Sequence, residues 1–500
     1  MTLAENASSR AQPSDVIAPE SAADWPIRLR SALVLIGLAA AFGGLTAECV
    51  RYLCLGAYLD HIEGNIIISS WEYARGDPLY AFESGMPRFA TFYGPLAYLA
   101  PLAALLLGGA GIAMSKFASL AALLGTVALM GWHWRRARRT GRSAHAMFFL
   151  LAALLLFSPM SFWVRPDPLE TLLVAAGVAC AASTLLLGIC IGLAVNLKAH
   201  AFIYFLPMLV ELAWTAGWRS MMRTGCCAGI VFALPFFAPG ISMHDYLAGI
   251  AQQVGDRGQS ASQLVPVLVY AAVLSLPVAL GLPSPGRASR DRAYAAAALC
   301  ALALLFYPAT FSGAGAYHFL PLVPVLAEAR HRLRPEGLGV EFAPFLILFF
   351  AALATEHTLR TMQDRQGWAE VADEALGLAQ AQTGPVQIGY GDNRRSYEVG
   401  QLARTKLALN GQAPVIDAQI LMELRQIGID GSRRWVPELV QCQIARWLLP
   451  TGEEPFATRS YFYDGAPLFG PEFRRAFFEH YRLAETGAHF SIWECRDGRA

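Results

Sequence analysis

From Ser31 to Leu359 the chain is dominated by apolar runs, many of them about 17 to 25 residues long, the length a helix needs to cross a ~30 Å hydrocarbon core. In lipid, backbone N–H and C=O groups have to be satisfied within the segment, which leaves helices as the spanning element for runs of this length. Composition agrees: 55% of the 500 residues are apolar and only 15% charged, below the quarter usual in soluble chains, and mean hydropathy is +0.39. The expected fold class is a polytopic α-helical membrane protein. A net charge of +1 gives no footprint for nucleic acid.

The runs suggest about 11 transmembrane helices, at approximately 29–47, 115–134, 144–163, 168–182, 184–198, 200–216, 224–240, 264–282, 293–311, 317–329 and 342–359. With the amino terminus cytoplasmic, the inside loops carry the arginines, among them Arg28, Arg30, Arg135, Arg136, Arg219, Arg290 and Arg332, as the positive-inside rule requires. That orientation puts the long first loop, 48–114, outside the cytoplasm, and the odd count puts the tail, 360–500, there too. Residues 1–28, rich in Ala, Ser, Pro and Glu, read as a disordered cytoplasmic tail; a cleaved signal peptide fits less well, because the basic residues come late.

The 360–500 tail has ordinary charge density and reads as a small α/β extracytoplasmic domain. Helix-like stretches run over Ala369–Ala381, Ser396–Leu409 and Pro471–His480, and strand-like ones over Val386–Tyr390 and Phe490–Cys495. Cys442 and Cys495 both lie in it, where an oxidising compartment permits a disulfide. Most other cysteines fall in spans and read as packing. The one Asn-x-Ser/Thr site, Asn6-Ala7-Ser8, is in the inside tail, consistent with a bacterial inner membrane.

The first loop holds the densest chemistry. Asp60 and Glu63, three residues apart, share a face if both are helical, and read either as a general base with a supporting carboxylate or as acids at a helix N-terminus. Ile66-Ile67-Ile68 and Trp71 suggest that this helix lies along the membrane surface. Arg75-Gly76-Asp77-Pro78 is a helix stop. Arg88, ahead of Tyr93-Gly94-Pro95-Leu96, reads as a phosphate ligand or a solvated side chain. Further along, Arg165-Pro166-Asp167-Pro168, Asn196-Leu197-Lys198-Ala199-His200 and Gly313–His318 put ionisable groups at the same edge of the bilayer. Such groups have partners or duties; the structural alternatives are snorkelling for Arg165 and Lys198, a helix cap for Asp167 and a structural imidazole for His318. Glycine-rich nucleotide loops, Ser-His-Asp arrangements and Cys-x-x-Cys pairs are absent from the sequence, which disfavours chemistry on a cytoplasmic nucleotide.

This order of elements resembles the GT-C membrane glycosyltransferases, nearest the bacterial members related to protein mannosyltransferases and to the lipid A aminoarabinose transferase. The resemblance covers roughly residues 29–330. It implies hexosyl or pentosyl transfer, with inversion, from a polyprenyl-phosphate-linked donor to a glycan, lipid or protein acceptor on the periplasmic side. Asp60 matches the first-loop base, Glu63 being the alternative; Asp167 matches the acid at the fourth span, and Lys198 the lysine after the fifth. One position departs: the aminoarabinose transferases have a Lys where Gly94 precedes Pro95, so that phosphate binding falls to Arg88, Arg165, Lys198 or a divalent cation. The rival is a transporter or flippase of lipid-linked sugars, which would show internal repeats and mid-membrane binding groups. A third reading, a ligand sensor on a membrane anchor, needs far fewer spans.

Overall fold

A computed structural model describes residues 25–80, 93–136, 140–256, 258–283, 288–333, 338–382, 384, 386–426, 428–461 and 463–496. Helix α1 (Trp25–Cys54) leads into α2 (His61–Ala74), α3 (Leu96–Gly108) and the short α4 (Ile112–Ser115). Next come α5 (Phe117–Arg136), α6 (Thr140–Leu156), α7 (Pro166–Ala179) and α8 (Thr184–Val195). A 3-10 segment (Ala199–Phe205) runs into α9 (Leu206–Ala216), followed by α10 (Trp218–Ala233), α11 (Met243–Asp256), α12 (Ala261–Ala279) and α13 (Ser289–Ala309). Another 3-10 segment (Ala316–Leu322) opens α14 (Val323–Leu333), and α15 (Leu338–Asp364) completes the bundle.

Among the described residues, seven helical stretches are long and apolar enough to cross a membrane: Leu29–Cys54, Ile112–Arg136, Ala199–Ala216, Trp218–Phe237, Ala261–Ala279, Ser289–Ala309 and Phe342–Gln380. Three shorter apolar helices, Leu96–Gly108, Ser143–Leu156 and Thr184–Val195, accompany them. The run expected at 144–163 is divided: α6 stops at Leu156 and residues 157–165 leave the helix as turns. Pro159 lies within that break and Pro166 ends it, and proline supplies no N–H to a helical ladder. The run at 317–329 becomes α14, in which all but one residue are buried; a helix covered on every side belongs inside a bundle. Packing against lipid-length neighbours is close where small residues allow it. A Cβ at Gly188 or Gly192 of α8 would stand 2.8 and 2.6 Å from the Thr224 and Ala228 carbonyls of α10, the small-xxx-small arrangement of membrane helix pairs.

The described residues of the stretch expected as a loop at 48–114 are largely helical, and α2 differs from the expected surface helix. Ten of its residues, Ile62 to Ser70 and Glu72, are buried, because α2 lies under α3 on one side and the C-terminal domain on the other. Three consecutive isoleucines point in three directions around a helix, so no single membrane-facing side could cover them.

The C-terminal domain carries α16 (Trp368–Gln380), α17 (Arg394–Leu409), α18 (Ala418–Gln426), α19 (Val436–Val440) and α20 (Pro471–His480). Its sheet runs β1-β2-β4-β3, with β1 (Val386–Ile388) parallel to β2 (Arg446–Pro450), and β3 (Tyr481–Thr486) and β4 (Phe490–Cys495) antiparallel. An aromatic core of Tyr390, Trp447, Phe456, Phe473 and Phe477 fills one side. Cys442 and Cys495 form a disulfide with Cα atoms 5.9 Å apart, closing a separation of 53 residues. The domain does not stand apart from the bundle: Trp368, Val386, Leu402 and Leu407 belong to the same apolar core as Tyr52, Phe148 and Phe162.

Candidate functional site

The turn between α1 and α2 is built around two buried charges. Lys116, between α4 and α5, donates from Nζ to the carbonyls of Tyr52 (2.7 Å), Leu55 (2.5 Å) and Ala57 (2.8 Å), tying the last turn of α1 to the segment that follows it. Asp60 then caps α2, its Oδ1 accepting from the Ile62 N–H at 3.0 Å. Glu63 turns back, and its Oε1 accepts from the Leu59 and Asp60 N–H groups, both at 2.8 Å. This is a capping box, so the two acids do not share a helix face: Asp60 lies outside the helix and Glu63 inside its first turn. Glu63 Oε2 accepts from the Tyr52 hydroxyl and from the Val164 N–H at 2.7 Å. It is fully buried, and burial pushes its pKa up, against the hydrogen bonds from Tyr52 and Val164.

Arg165, the residue before α7, meets Asp60 across this turn. Its Nη1 donates to Asp60 Oδ2 at 2.6 Å and its Nη2 to the Tyr93 hydroxyl at 2.8 Å, while the guanidinium lies over the Trp163 and Tyr317 rings at 4.2 and 4.9 Å. The other Asp60 oxygen is 2.9 Å from His61 Nδ1. Burial alone would raise the Asp60 pKa; His61, Arg165 and the Ile62 N–H together outweigh it and hold the carboxyl well below the usual range. Lys198 Nζ, in turn, is 2.5 Å from Asp167 and 3.6 Å from Glu170, two fully buried acids one turn apart on α7, and it approaches the Tyr317 and Tyr93 rings at 5.2 and 5.8 Å. His318 Nδ1 lies 3.1 Å from His200 Nε2, and the Tyr204 hydroxyl donates to the His318 carbonyl at 2.9 Å.

The departure at Gly94 has a geometric reason. The Gly94 N–H donates to Leu197 O at 3.0 Å and the Leu96 N–H to Asn196 Oδ1 at 3.0 Å, so the Tyr-Gly-Pro-Leu turn is seated on the segment carrying Lys198. A Cβ at Gly94 would stand 1.8 Å from the Asn196 carbonyl, which leaves no room for a lysine there.

These groups open onto a cavity of about 540 Å³, within the usual range for small-ligand sites. Of the residues singled out in the sequence, Asp60, Arg165, Lys198 and His318 line it. Glu63 and Asp167 stand behind the wall and hold lining residues through the contacts above. Arg88 lies outside the described residues. His61, Tyr93, His200 and Tyr317 also line the cavity without having been singled out, as does a set from the C-terminal domain that includes Glu398, Gln419 and Glu423. Glu170, three residues beyond Asp167, was findable by helical spacing; the C-terminal residues, hundreds of positions away, carry no local signal. Among the described residues, no group of three or more His, Cys, Asp or Glu is arranged to hold a metal ion.

No family model and no curated protein matches this sequence. Solved structures do match the fold, among them two crystal structures of ArnT from Cupriavidus metallidurans, one in the apo state and one bound to undecaprenyl phosphate. Each is 13% identical to this chain, with a TM-score of 0.54, over 95% of this chain and 98% of the other. At that identity the likeness establishes architecture: the chain has the ArnT-like GT-C fold that its motifs resemble, extending through the C-terminal domain.

Proposed function

We propose that this chain is a glycosyltransferase that moves a sugar from a polyprenyl-phosphate-linked donor to an acceptor hydroxyl, with Asp60 as the base. The observation that carries the reading is the joint placement of Asp60, Arg165 and Lys198 on one cavity, in a fold shared with a protein whose structure is bound to undecaprenyl phosphate. Orientation follows the arginine-rich turns: the amino terminus is cytoplasmic, residues 29–359 form the membrane domain, and 360–500 form a domain on the periplasmic side of a bacterial inner membrane.

In this reading the phosphate of the donor sits against Lys198 and Arg165, which stabilise charge as it develops on the leaving oxygen. The acceptor oxygen attacks the anomeric carbon, its proton passes to Asp60, and the bond from that carbon to the phosphate oxygen breaks with the electron pair on the phosphate. Such a single displacement inverts the anomeric centre. Arg165 engages Asp60 at 2.6 Å, which keeps the carboxylate ionised but weakly basic. A bound phosphate competes for that guanidinium and so strengthens the base as the donor arrives. Glu63 serves as scaffold in this scheme, since it already accepts from Leu59, Asp60, Val164 and Tyr52.

The test is binding of undecaprenyl phosphate to the full chain in lipid nanodiscs. Binding that weakens in Lys198→Met and Arg165→Met, with Asp60→Asn binding but inactive, is expected. Lipid held at mid-membrane and unaffected by these changes would overturn the assignment.

A further inference from the structure

The cavity has two chemically different walls. The bundle presents Arg165 and Lys198 among aromatic rings, a surface for an anion. The facing wall comes from the C-terminal domain and the end of α15, and its formal charges cancel: Arg365 and Arg394 against Glu398 and Glu423. Both arginines are engaged by Glu398, at 2.5 and 3.1 Å, and Arg365 also donates to the Tyr58 carbonyl at 2.8 Å.

On this wall Gln419 and Glu423, one turn apart on α18, are joined by a 2.9 Å hydrogen bond from the amide nitrogen to the carboxylate. They are 3% and 8% exposed, yet both line the cavity. A buried carboxylate and amide are costly to place in a core for packing alone. Together they offer hydroxyl groups both acceptors and a donor.

Their position relative to Asp60 is fixed. Asp417 caps α18, accepting from the Gln419 and Ile420 N–H groups at 2.7 and 3.3 Å. The Gln401 amide donates to Asp417 at 2.9 Å and to Asn65 of α2 at 2.8 Å. The first turn of α18 is thus tied to the helix that Asp60 caps, a preorganised arrangement.

We propose that Gln419 and Glu423 read the hydroxyl groups of the sugar carried on the lipid phosphate, so that the C-terminal domain, facing the phosphate-binding bundle, sets sugar specificity. The inference rests on the donor reading above. A site built to hydrogen-bond a hydroxyl discriminates strongly against a ligand lacking it.

The experiment measures binding of the full chain in nanodiscs to undecaprenyl phosphate and to undecaprenyl phosphate bearing glucose, mannose or 4-amino-4-deoxyarabinose. Wild type should bind at least one sugar-bearing lipid about 10-fold or more tightly than the bare phosphate. Gln419→Ala and Glu423→Gln should each remove about 10-fold of that preference, the size of one lost hydrogen bond, with bare-phosphate affinity and melting unchanged. If Glu423→Gln melts early, Gln419→Asn, one methylene shorter with the same groups, should show the same selective loss. A sugar that adds nothing in wild type, or variants that keep the full preference, would overturn the proposal while leaving the donor reading standing. Absence of bare-phosphate binding would overturn the donor reading itself.

Discussion

Among the described residues, two of the charge clusters built on buried carboxylates are put together differently. In the bundle, Glu211 of α9 accepts from Arg290 Nε at 3.0 Å and Arg332 Nη1 at 2.9 Å. Arg332 Nε reaches Glu328 at 2.7 Å, and the Trp134 indole donates to the same carboxylate at 2.7 Å. This cluster ties α5, α9, α13 and α14 together, and none of its residues lines the cavity described above. In the Asp60–Arg165 and Lys198–Asp167 pairs, one or both partners line that cavity. Burial of charge alone therefore does not mark a site; a charged pair becomes chemically available when a ligand can reach it and compete for a partner. Arg290 and Arg332, read from sequence as inside-loop charges, serve as fasteners as well.

The sharpest way to break the contrast is at Asp60. Asp60→Asn should lower transfer by about 10²–10⁴-fold, the worth of a positioned general base, while melting falls only in part, because Asn also caps helices well although Arg165 loses its carboxylate partner. A variant that lost stability and kept turnover would make this cluster another fastener. The converse change, Glu211→Ala, leaves Arg332 held by Glu328 and Arg290 half-exposed to solvent, and should cost about 1.5–3 kcal/mol of stability, the worth of a lost charge-assisted hydrogen bond, read by thermal or denaturant unfolding, with undecaprenyl phosphate affinity of the folded fraction preserved. Loss of turnover in a protein of normal stability would erase the distinction.

Glu63→Gln tests the border between the two kinds. It replaces an acceptor of several N–H groups with an amide that offers its own N–H toward them, at a cost of about 1.5–3 kcal/mol for a lost charged hydrogen bond. Turnover should fall through displacement of Asp60 and Arg165, by less than in Asp60→Asn. Equal losses would give Glu63 a direct part in the chemistry.

The smallest effect is in pH. Because the Asp60 pKa is lowered in the folded protein, its ionised form is populated throughout the range above the ordinary carboxylate value near 4, and the stabilisation it contributes is lost only as pH falls through the depressed value. The profile of kcat/KM should therefore stay level on the acid side down to that ordinary value. Arg165→Met should move the acid limb upward by about one unit or more, the scale of shift a neighbouring guanidinium produces; an unmoved limb would separate Arg165 from the titrating group.

Much of this was legible in the sequence. Apolar run length dictated membrane helices, and the tail's helices at 368–380, 394–409 and 471–480 and its final strand at 490–495 fall within two residues of the stretches read from periodicity and turn residues. Those signals are local: 3.6- and 2-residue periods, caps and breakers act within a few positions. The motifs around Asp60, Arg165, Lys198 and His318 were visible for the same reason, as polar groups where lipid makes them expensive.

Tertiary structure alone decided what each of those groups does. Asp60 faces the cavity and Glu63 the core because a capping box, Tyr52 and Val164 claim Glu63 from three directions. Lys116 holds the end of α1 from more than 50 residues away, and α18, which carries Gln419 and Glu423 to the cavity, is tied through Asp417 to Gln401, which in turn donates to Asn65, 336 positions before it. Contacts over such separations depend on how whole elements pack, which no local spacing in the chain records. Run length and hydrogen-bond demand chose the helices; the packing of a C-terminal domain onto α2 chose the site.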